Sequence, residues 1–232
     1  MAAGAEIIDV GGESTRPGAG PVPLRVELAR VIPVVAALAE EGIPVSIDTR
    51  HARVMSEAIA AGATIVNDVM ALTGPDTLAA VAGSNASVIL MHMQGTPKTM
   101  QDDPAYRDVV SDVYGWLAER VLACFQAGIA LERIAVDPGF GFGKTVEHNF
   151  ALLGRLGVFH GLGCAVAVGL SRKSFIGALT GERDPAARVL GSVSAALAAI
   201  GQGVQIVRVH DVAETMSALK IWRAQSRLAR PQ

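Results

Sequence analysis

The sequence has only two cysteines, Cys124 and Cys164, among 232 residues. No C-x-x-C spacing and no pair of histidines at metal-ligand spacing occurs, so neither a disulfide framework nor a zinc site is predicted. The N-terminus also lacks the basic segment, apolar core and cleavage site of a secretory signal. Reduced thiols and a cytoplasmic location are therefore expected.

Neither sign of charge dominates, because 20 Lys and Arg oppose 22 Asp and Glu. Nucleic acids and anionic membranes attract clustered basic residues, so neither is expected as a partner. Half of the residues are hydrophobic, yet no apolar run approaches the roughly 18 residues that cross a bilayer. We predict one soluble domain over residues 1–232, large enough to bury roughly 70–75% of its unfolded surface.

Short β-branched runs alternate with helical patterns along the whole chain. The runs predict strands at residues 6–10, 45–48, 65–68, 87–92, 134–137, 165–169 and 206–210. The helical patterns fall at residues 24–40, 51–61, 76–83, 104–128, 147–156, 185–201 and 212–227. This α/β alternation predicts a parallel sheet covered on both faces, either an open doubly wound sheet or a (β/α)8 TIM barrel with about seven βα units present.

The first residues repeat an internal pattern. Ala-Ala-Gly-Ala-Glu-Ile-Ile-Asp-Val at residues 2–10 resembles Ala-Ala-Gly-Ala-Thr-Ile-Val-Asn-Asp-Val at residues 60–69, where a helix leads into a strand. Seven units are one fewer than a barrel needs. We therefore expect an N-terminally truncated barrel whose preceding strand lies on the order of 30 residues upstream.

Polar residues follow most of the predicted strands. In parallel βα folds the ligand sits beyond the carboxyl ends of the strands. The residues at these ends are Asp48, Asn67, His92, Asp137, Lys173, Arg208 and His210. Two carboxylates and an amide suit the guanidine-like edge of a heterocycle. Capping of the next helix is the alternative for each Asp or Asn taken alone.

Three further segments carry candidate binding groups. A glycine-rich loop runs from Asp137 to Lys144 and is suited to a small polar ligand, with turn formation as its alternative. Residues 171–174, Ser-Arg-Lys-Ser, suit a phosphate or a polar ring unless they form a solvated turn. The spacing of Arg208 and His210 places both on one face of a strand, where they predict an anion site. Residues 11–18 predict a loop that covers the substrate, or an ordinary exposed loop.

In this order, the motifs resemble those of the dihydropteroate synthase family. They are IIDVGGESTRPGA (7–19), SIDT (46–49), IVNDV (65–69), LMHMQGTP (90–97), DPGFGFGK (137–144), GLSRKSFIG (169–177) and RVHDV (208–212). The resemblance covers nearly the whole chain. It implies a pterin-binding (β/α)8 barrel, inhibited by sulfonamides and assembled as a homodimer. The implied reaction of folate biosynthesis joins p-aminobenzoate to 6-hydroxymethyl-7,8-dihydropterin pyrophosphate, with Mg2+ assisting, and gives 7,8-dihydropteroate and pyrophosphate.

The resemblance also implies a role for individual residues. Asp48, Asn67 and Asp137 would anchor the pterin, with Lys173 reaching it and Met91 lining its pocket. The residues around p-aminobenzoate would be Thr15, Arg16, Phe142, Ser171 and Lys173. Arg208 and His210 would hold the departing phosphates, and the residues implied in catalysis are Asp48, Lys173, Arg208 and His210. The asparagine that the family associates with its metal belongs to an NVTPDSFSDGG-like motif that this sequence lacks, so no metal ligand is assigned.

Two other functions are compatible with a pterin site. A methyltetrahydrofolate-type methyltransferase uses a related barrel and a similar Asp, Asn and Asp set. A non-catalytic pterin-binding remnant or interaction protein would need no reaction at all. The cations of the Ser-Arg-Lys-Ser segment and Arg208 with His210 favour the synthase, because recognition of a pyrophosphate needs positioned cations.

Overall fold

The fold was determined from a computed structural model, which describes residues 1–15, 18–96 and 98–228, the side chains of residues 226–228 excepted. Within these residues the strands are β1 (Ile8–Gly11), β2 (Val45–Asp48), β3 (Ile65–Asp68), β4 (Ser87–Met91), β5 (Ile134–Asp137), β6 (Ala165–Val168) and β7 (Ile206–Val207). The α-helices are α1 (Leu24–Glu40), α2 (Ala52–Ala60), α3 (Thr77–Ala82), α4 (Val109–Gln126), α5 (Val146–Gly154), α6 (Ser174–Thr180), α7 (Val189–Gly201) and α8 (Val212–Leu228).

The strands form one parallel sheet in the order β1 to β7. The sheet curls so far that Arg208, directly after β7, forms an ion pair with Asp9 of β1. Strand and helix alternate throughout, which confirms the predicted barrel architecture with seven βα units. Within the described chain, β1 and β7 each pair with a single strand.

The main core lies between the outer face of the sheet and the helices. Alternate strand residues, including Ile47, Val66, Val88 and Val136, are fully or almost fully buried there. Each such side chain contributes roughly 1.5–3 kcal/mol by leaving water. Because successive residues of a strand point to opposite faces, the intervening residues line the barrel interior. The core thus determines which polar side chains face the interior.

Two predicted helices begin later than the sequence suggested. The helix predicted from residue 104 begins at Val109, because the Asp108 carboxylate caps it by accepting a hydrogen bond of 2.7 Å from the Ser111 N–H. The stretch predicted from residue 185 is first a 3-10 helix, Pro185–Arg188, before α7 begins. Asp184 caps this 3-10 helix through the Ala186 N–H.

The last strand and one helix also differ from the prediction. Residues 206–210 were predicted as a strand, but β7 ends at Val207 and one further backbone bond joins the Arg208 N–H to the Val168 carbonyl, at 2.9 Å. Helix α6 was not predicted, since its seven residues are too few to show helical periodicity. Residues 1–7 form turns, with the Gly4 N–H donating to the Met1 carbonyl. Among the helices that the structure describes, none is long and apolar enough to span a bilayer.

Candidate active site

Three polar side chains meet at the carboxyl ends of the central strands. Asp48 ends β2 and pairs in register with Asn67 of β3, and Asp137 ends β5 beside Met91 of β4. A hydrogen bond of 3.1 Å from the Thr49 N–H to the Asn67 carbonyl extends the ladder past Asp48. The predicted grouping of Asp48, Asn67 and Asp137 at one end of the sheet is therefore observed.

Asp48 is held in a strongly perturbed electrostatic environment. Burial and then the nearby charge of Asp9 raise the pKa of its carboxyl to about 7, against the opposing attraction of Arg208. The Asp48 carboxyl is therefore harder to ionise than that of an exposed aspartate. Such a group is well matched to a ligand that brings compensating N–H donors.

Asp137 is oriented by the glycine-rich loop that follows it. Its Oδ1 accepts a hydrogen bond of 2.7 Å from the Gly139 N–H. Burial raises the pKa of the Asp137 carboxyl, while the Gly139 bond and Lys173 act in the opposite direction. Gly139 has φ +74°, and a Cβ there would lie 1.8 Å from the His92 carbonyl oxygen, so only glycine fits this turn.

Lys173 and Phe142 form one wall of the mouth, which is the opening of the barrel at the carboxyl ends of the strands. The Lys173 Nζ lies 4.1 Å from the centroid of the Phe142 ring, in cation–π contact. The aliphatic part of Lys173 runs close to Gly141, whose N–H donates to Asn149 Oδ1 at 2.7 Å. Met91 is buried beside Phe142 in a small cluster with Val69, Met93 and Met100. The cation and the aromatic ring assigned to the two substrates are thus in direct contact.

Lys144 and His92 are not at the mouth, contrary to the interpretation of the sequence. Their side chains are only 3% and 6% exposed, and Lys144 Nζ lies 3.0 Å from His92 Nδ1. Lys144 also donates a hydrogen bond of 2.9 Å to the Phe142 carbonyl. Burial lowers the pKa of Lys144 to about 7 and that of His92 to about 3. The pair supports the glycine-rich loop from behind and has no access to a ligand.

The Ser-Arg-Lys-Ser segment divides in the structure. Ser171 is buried, and its Oγ lies 3.0 Å from His210 Nδ1. Arg172, at φ +61°, makes two hydrogen bonds to the Asp211 carboxylate and does not serve the predicted phosphate site. Lys173 alone of the two cations reaches Phe142. The side chain of Ser171 therefore contacts His210, and the segment as a whole is not one anion cluster.

Arg208 lies between two carboxylates. Its Nε is 2.5 Å from Asp9 Oδ2 and its Nη2 is 3.4 Å from Asp48 Oδ2. Burial opposes its charge, but Asp9 and Asp48 outweigh burial and raise its pKa further. The sequence interpretation did not select Asp9, because it precedes the end of its strand. Successive residues of β1 alternate between the two faces of the sheet, and this alternation places Asp9 towards the barrel interior. That position was the sequence signal that could have identified Asp9.

Two other buried carboxylates were also missed. Glu27, on α1, accepts from Thr49 Oγ1 at 2.6 Å and lies 2.7 Å from His51 Nδ1. Glu13 accepts two hydrogen bonds from Arg50 and one from the Val22 N–H. These contacts tie the loop between β1 and α1 to the turn after Asp48. Sequence patterns do not mark them, because each joins residues far apart in the chain.

The loop held by Glu13 contains two of the predicted substrate residues. Thr15 lies in it and is half-buried. Arg16 lies outside the described residues. The loop is thus attached at its base to the turn after Asp48.

A cavity of about 770 Å³ opens between β1 and β7. Asn67, Arg208, His210 and Asp9 line its polar part, and Ile65 and Ile89 belong to its apolar part.

In the part of the chain that the structure describes, the one group of metal-type ligands within reach of each other is Glu13, Glu27 and His51. All four of its carboxylate oxygens already bond protein groups. This group does not fit a resident cation.

The chain is similar to a known family and to known proteins. Residues 1–210 match the family described as pterin binding enzyme. The chain is 49% identical over 223 residues to the dihydropteroate synthase of Escherichia coli (strain K12), covering 96% of this chain and 79% of that protein. It is 50% identical over 224 residues to the dihydropteroate synthase of Neisseria meningitidis serogroup C, covering 95% of this chain and 79% of that protein.

Solved structures agree with this relationship. The Yersinia pestis dihydropteroate synthase with a sulfonamide drug complex superimposes with a TM-score of 0.95 at 46% identity, over 97% of this chain and 82% of that one. The Burkholderia cenocepacia dihydropteroate synthase complexed with 7,8-dihydropteroate gives a TM-score of 0.93 at 49% identity, over 100% of this chain and 85% of that one. The strand-end carboxylates, the aligned relatives and the shared fold together establish that the chain belongs to the pterin-binding enzyme family, as a dihydropteroate synthase.

Proposed function

We propose that this chain joins p-aminobenzoate to 6-hydroxymethyl-7,8-dihydropterin pyrophosphate and forms 7,8-dihydropteroate and pyrophosphate. The observation that carries the proposal is the convergence of Asp48, Asn67 and Asp137 with Lys173 and Arg208 at one end of the sheet. A related structure, from Xanthomonas albilineans, contains 4-aminobenzoic acid, and the B. cenocepacia relative contains 7,8-dihydropteroate.

The pterin is proposed to bind across Asp48, Asn67 and Asp137. The two carboxylates accept from its N–H and amino donors, and such charge-assisted bonds are each worth roughly 1.5–3 kcal/mol. Lys173 donates to the same ring and Met91 contributes apolar contact. Both carboxyls have raised pKa values in the absence of ligand, so the donors of the pterin would supply the hydrogen bonds that favour their ionised form.

The second substrate is proposed to bind where Phe142 and Lys173 meet the loop carrying Thr15 and Arg16. Arg208 and His210 would stabilise the negative charge that develops on pyrophosphate as its bond to the pterin methylene breaks. Asp48 and Asp137 offset the positive charge left on the pterin, and the arylamine nitrogen then forms the new bond and loses a proton. Lys173, Arg208, His210 and Asp48 are the residues proposed to act in catalysis.

Mg2+ is proposed to assist by neutralising charge on the pyrophosphate. Mg2+ is commonly bound through substrate phosphates and one or two carboxylates, with water completing its shell. Because the oxygens of Glu13 and Glu27 are already hydrogen-bonded, the ion would be held mainly by the substrate itself.

A homodimer in the cytoplasm is proposed as the working form. Leu190, at the start of α7, is 84% exposed, and Ile221, on the neighbouring α8, is 74% exposed. Such side chains favour contact with a second copy where they form a continuous apolar patch. Sedimentation equilibrium should give twice the chain mass, and Leu190→Glu should reduce it. Both cysteines are unpaired, which suits a reducing compartment.

The reaction is tested by following pyrophosphate release and dihydropteroate formation with both substrates and Mg2+. We expect product only when both substrates are present, with loss of at least a hundredfold in Asp137→Asn. Glu57→Gln, which alters an exposed pair with Arg53, is the matched control. Pterin binding without turnover would indicate a non-catalytic binder, and methyl transfer from methyltetrahydrofolate would indicate the methyltransferase. Either result would overturn the proposal.

A further inference from the structure

Asp9 occupies an unusual position in the sheet. It lies on β1, in register with Ser46 of β2, and faces the barrel interior. Its Oδ2 forms the short ion pair with Arg208, although the two residues are 199 positions apart. The first and last strands of the described sheet are thus joined by one side-chain contact at the mouth.

Asp9 and Asp48 compete for the same guanidinium. The bond from Arg208 Nε to Asp9 is 2.5 Å long, whereas the contact from Nη2 to Asp48 is 3.4 Å. The second distance exceeds the usual N–H to O range of about 2.7–3.2 Å. Asp9 is therefore the main partner of Arg208, and the Asp48 oxygens retain capacity for other donors.

The burial of Asp9 is hard to explain by stability alone. Its Oδ1 is buried without a hydrogen-bond partner among the described residues, and so is the adjacent Ser46 Oγ. A buried acceptor left unpaired costs roughly 1–3 kcal/mol. The ion pair itself adds little stability, because the Arg208 side chain is 54% exposed and exposed pairs are typically worth about 0–1 kcal/mol. A carboxylate kept under these conditions and paired with Arg208 at the strand ends points to function.

We propose that Asp9 is a positioning residue, which holds the Arg208 guanidinium at the β7 side of the mouth and thereby leaves Asp48 available to the pterin. The inference rests on the proposed function and adds to it a residue with no assigned role. Without the Asp9 charge, Arg208 retains Asp48 as its neighbouring carboxylate and moves onto it. Arg208 then blocks a pterin acceptor and withdraws from the leaving pyrophosphate.

The effect on kinetics is specific to one substrate. Asp9→Asn keeps the shape of the side chain and removes its charge. We expect the KM for the pterin pyrophosphate to rise roughly tenfold or more, because a substrate bond to Asp48 must now displace Arg208. The KM for p-aminobenzoate should change less than twofold, since Phe142 and Lys173 remain in contact.

The pH dependence of pterin binding should change as well. The charges that face Asp48 are those of Asp9, Arg208, Asp68 and Lys173. Asp9 raises the pKa of Asp48, so its neutralisation, together with the approach of Arg208, lowers that pKa. The acid limb of pterin affinity, measured by calorimetry with 6-hydroxymethylpterin, should therefore shift to lower pH in Asp9→Asn. A purely structural role would lower affinity equally at all pH values.

A readout without substrate tests the geometry directly. The Nε–H of Arg208, identified by its disappearance in Arg208→Lys, is expected to exchange slowly with solvent in nitrogen-15 NMR spectra. Asp9→Asn should accelerate this exchange roughly tenfold or more. Ser46→Ala, which changes the neighbouring inward position without altering charge, is the matched control and should leave the exchange and both KM values unchanged. Equal exchange in Asp9→Asn and the wild type would overturn the inference.

Asp48→Asn gives a second test if Asp9→Asn folds poorly. Because Asp9 is the main partner, Arg208 Nε–H should stay protected when Asp48 is neutralised, and loss of protection there would also overturn the inference. Failure of the proposed function has a different signature. A wild-type protein that neither binds 6-hydroxymethylpterin nor releases pyrophosphate contradicts that function. A wild-type protein that does both, with Asp9→Asn equal to it, contradicts only the role of Asp9.

Discussion

The Lys173 ammonium lies 4.1 Å from the centre of the Phe142 ring, at the point where the two substrates are proposed to meet. Phe142 therefore helps to hold the cation in place over the mouth. Cation–π contacts are worth about 0.5–2 kcal/mol.

We expect Phe142→Leu to reduce kcat/KM by roughly fivefold, since the side chain keeps apolar bulk but loses its ring. Phe142→Tyr should retain most of the activity. Phe150→Leu is the control, because the Phe150 ring packs on Phe175 and not on Lys173. Equal kcat/KM for Phe142→Leu and the wild type would show that Lys173 needs no ring beneath it.

Ser171 is expected to act through His210 and not on p-aminobenzoate. Its Oγ lies 3.0 Å from His210 Nδ1 and also accepts the His210 N–H at 3.2 Å. In Ser171→Ala the imidazole loses this support, and the KM for the pterin pyrophosphate should rise roughly fivefold. Ser194→Ala, which removes a hydroxyl bonded to the Leu190 carbonyl, is the control. A selective rise in the KM for p-aminobenzoate would instead support the role that the family resemblance assigned to Ser171.

The positions of Asp48, Asn67 and Asp137 were predictable because each lies at or next to the end of a short, mainly apolar strand. In parallel sheets such ends lie side by side, so the sequence order alone predicts that they converge. The alternation of strands and helices predicted a parallel sheet but left an open doubly wound sheet as the alternative to the barrel that the family resemblance implied. Two short elements were not predicted correctly from the sequence, because α6 and β7 contain too few residues to show a period.

Side-chain direction was the part that the sequence did not reveal. His92 directly follows β4 and Lys144 ends the glycine-rich loop after β5, yet both turn away from the mouth and bond each other. Arg172 precedes Lys173 by one residue, but its positive φ sends it to Asp211. Such choices depend on partners distant in the chain. Asp9 was missed for the same reason, since its significance comes from Arg208 at the other end of the sheet.

The charge of Asp48 should reduce the stability of the protein without ligand. Its pKa of about 7 in the fold lies above the ordinary value of 3.8. The folded protein therefore binds more protons than the unfolded chain between these values, and stability falls as pH rises through 7. Asp48→Asn should remove this loss and raise the free energy of unfolding by on the order of 2 kcal/mol at pH 8, while it weakens pterin binding.

Urea unfolding at pH 5, 7 and 8 checks this expectation. The difference between Asp48→Asn and the wild type should shrink towards pH 5, where the wild-type carboxyl is protonated. Asp76→Asn, at an exposed position, should show no such trend. A variant less stable than the wild type at pH 8 would mean that the contact with Arg208 outweighs the burial of Asp48.

Lys144 should make stability depend on pH in the opposite direction. Burial lowers its pKa to about 7 from 10.5, so the unfolded chain binds more protons between these values. The contribution of Lys144 to stability therefore increases from pH 7 to 10.5 and is lost as pH falls through 7. Lys144→Met removes this titration, so the stability of the variant relative to the wild type should decrease across that range.

The same variant separates stability from positioning. Lys144 Nζ donates to the Phe142 carbonyl, so its loss frees the loop that places Phe142 beneath Lys173. We expect Lys144→Met to be at least as stable as the wild type at pH 6 but roughly five- to tenfold lower in kcat/KM. Lys98→Met, on the exposed surface, should match the wild type in both measurements. If Lys144→Met instead kept full activity, the buried pair with His92 would have no part in shaping the mouth.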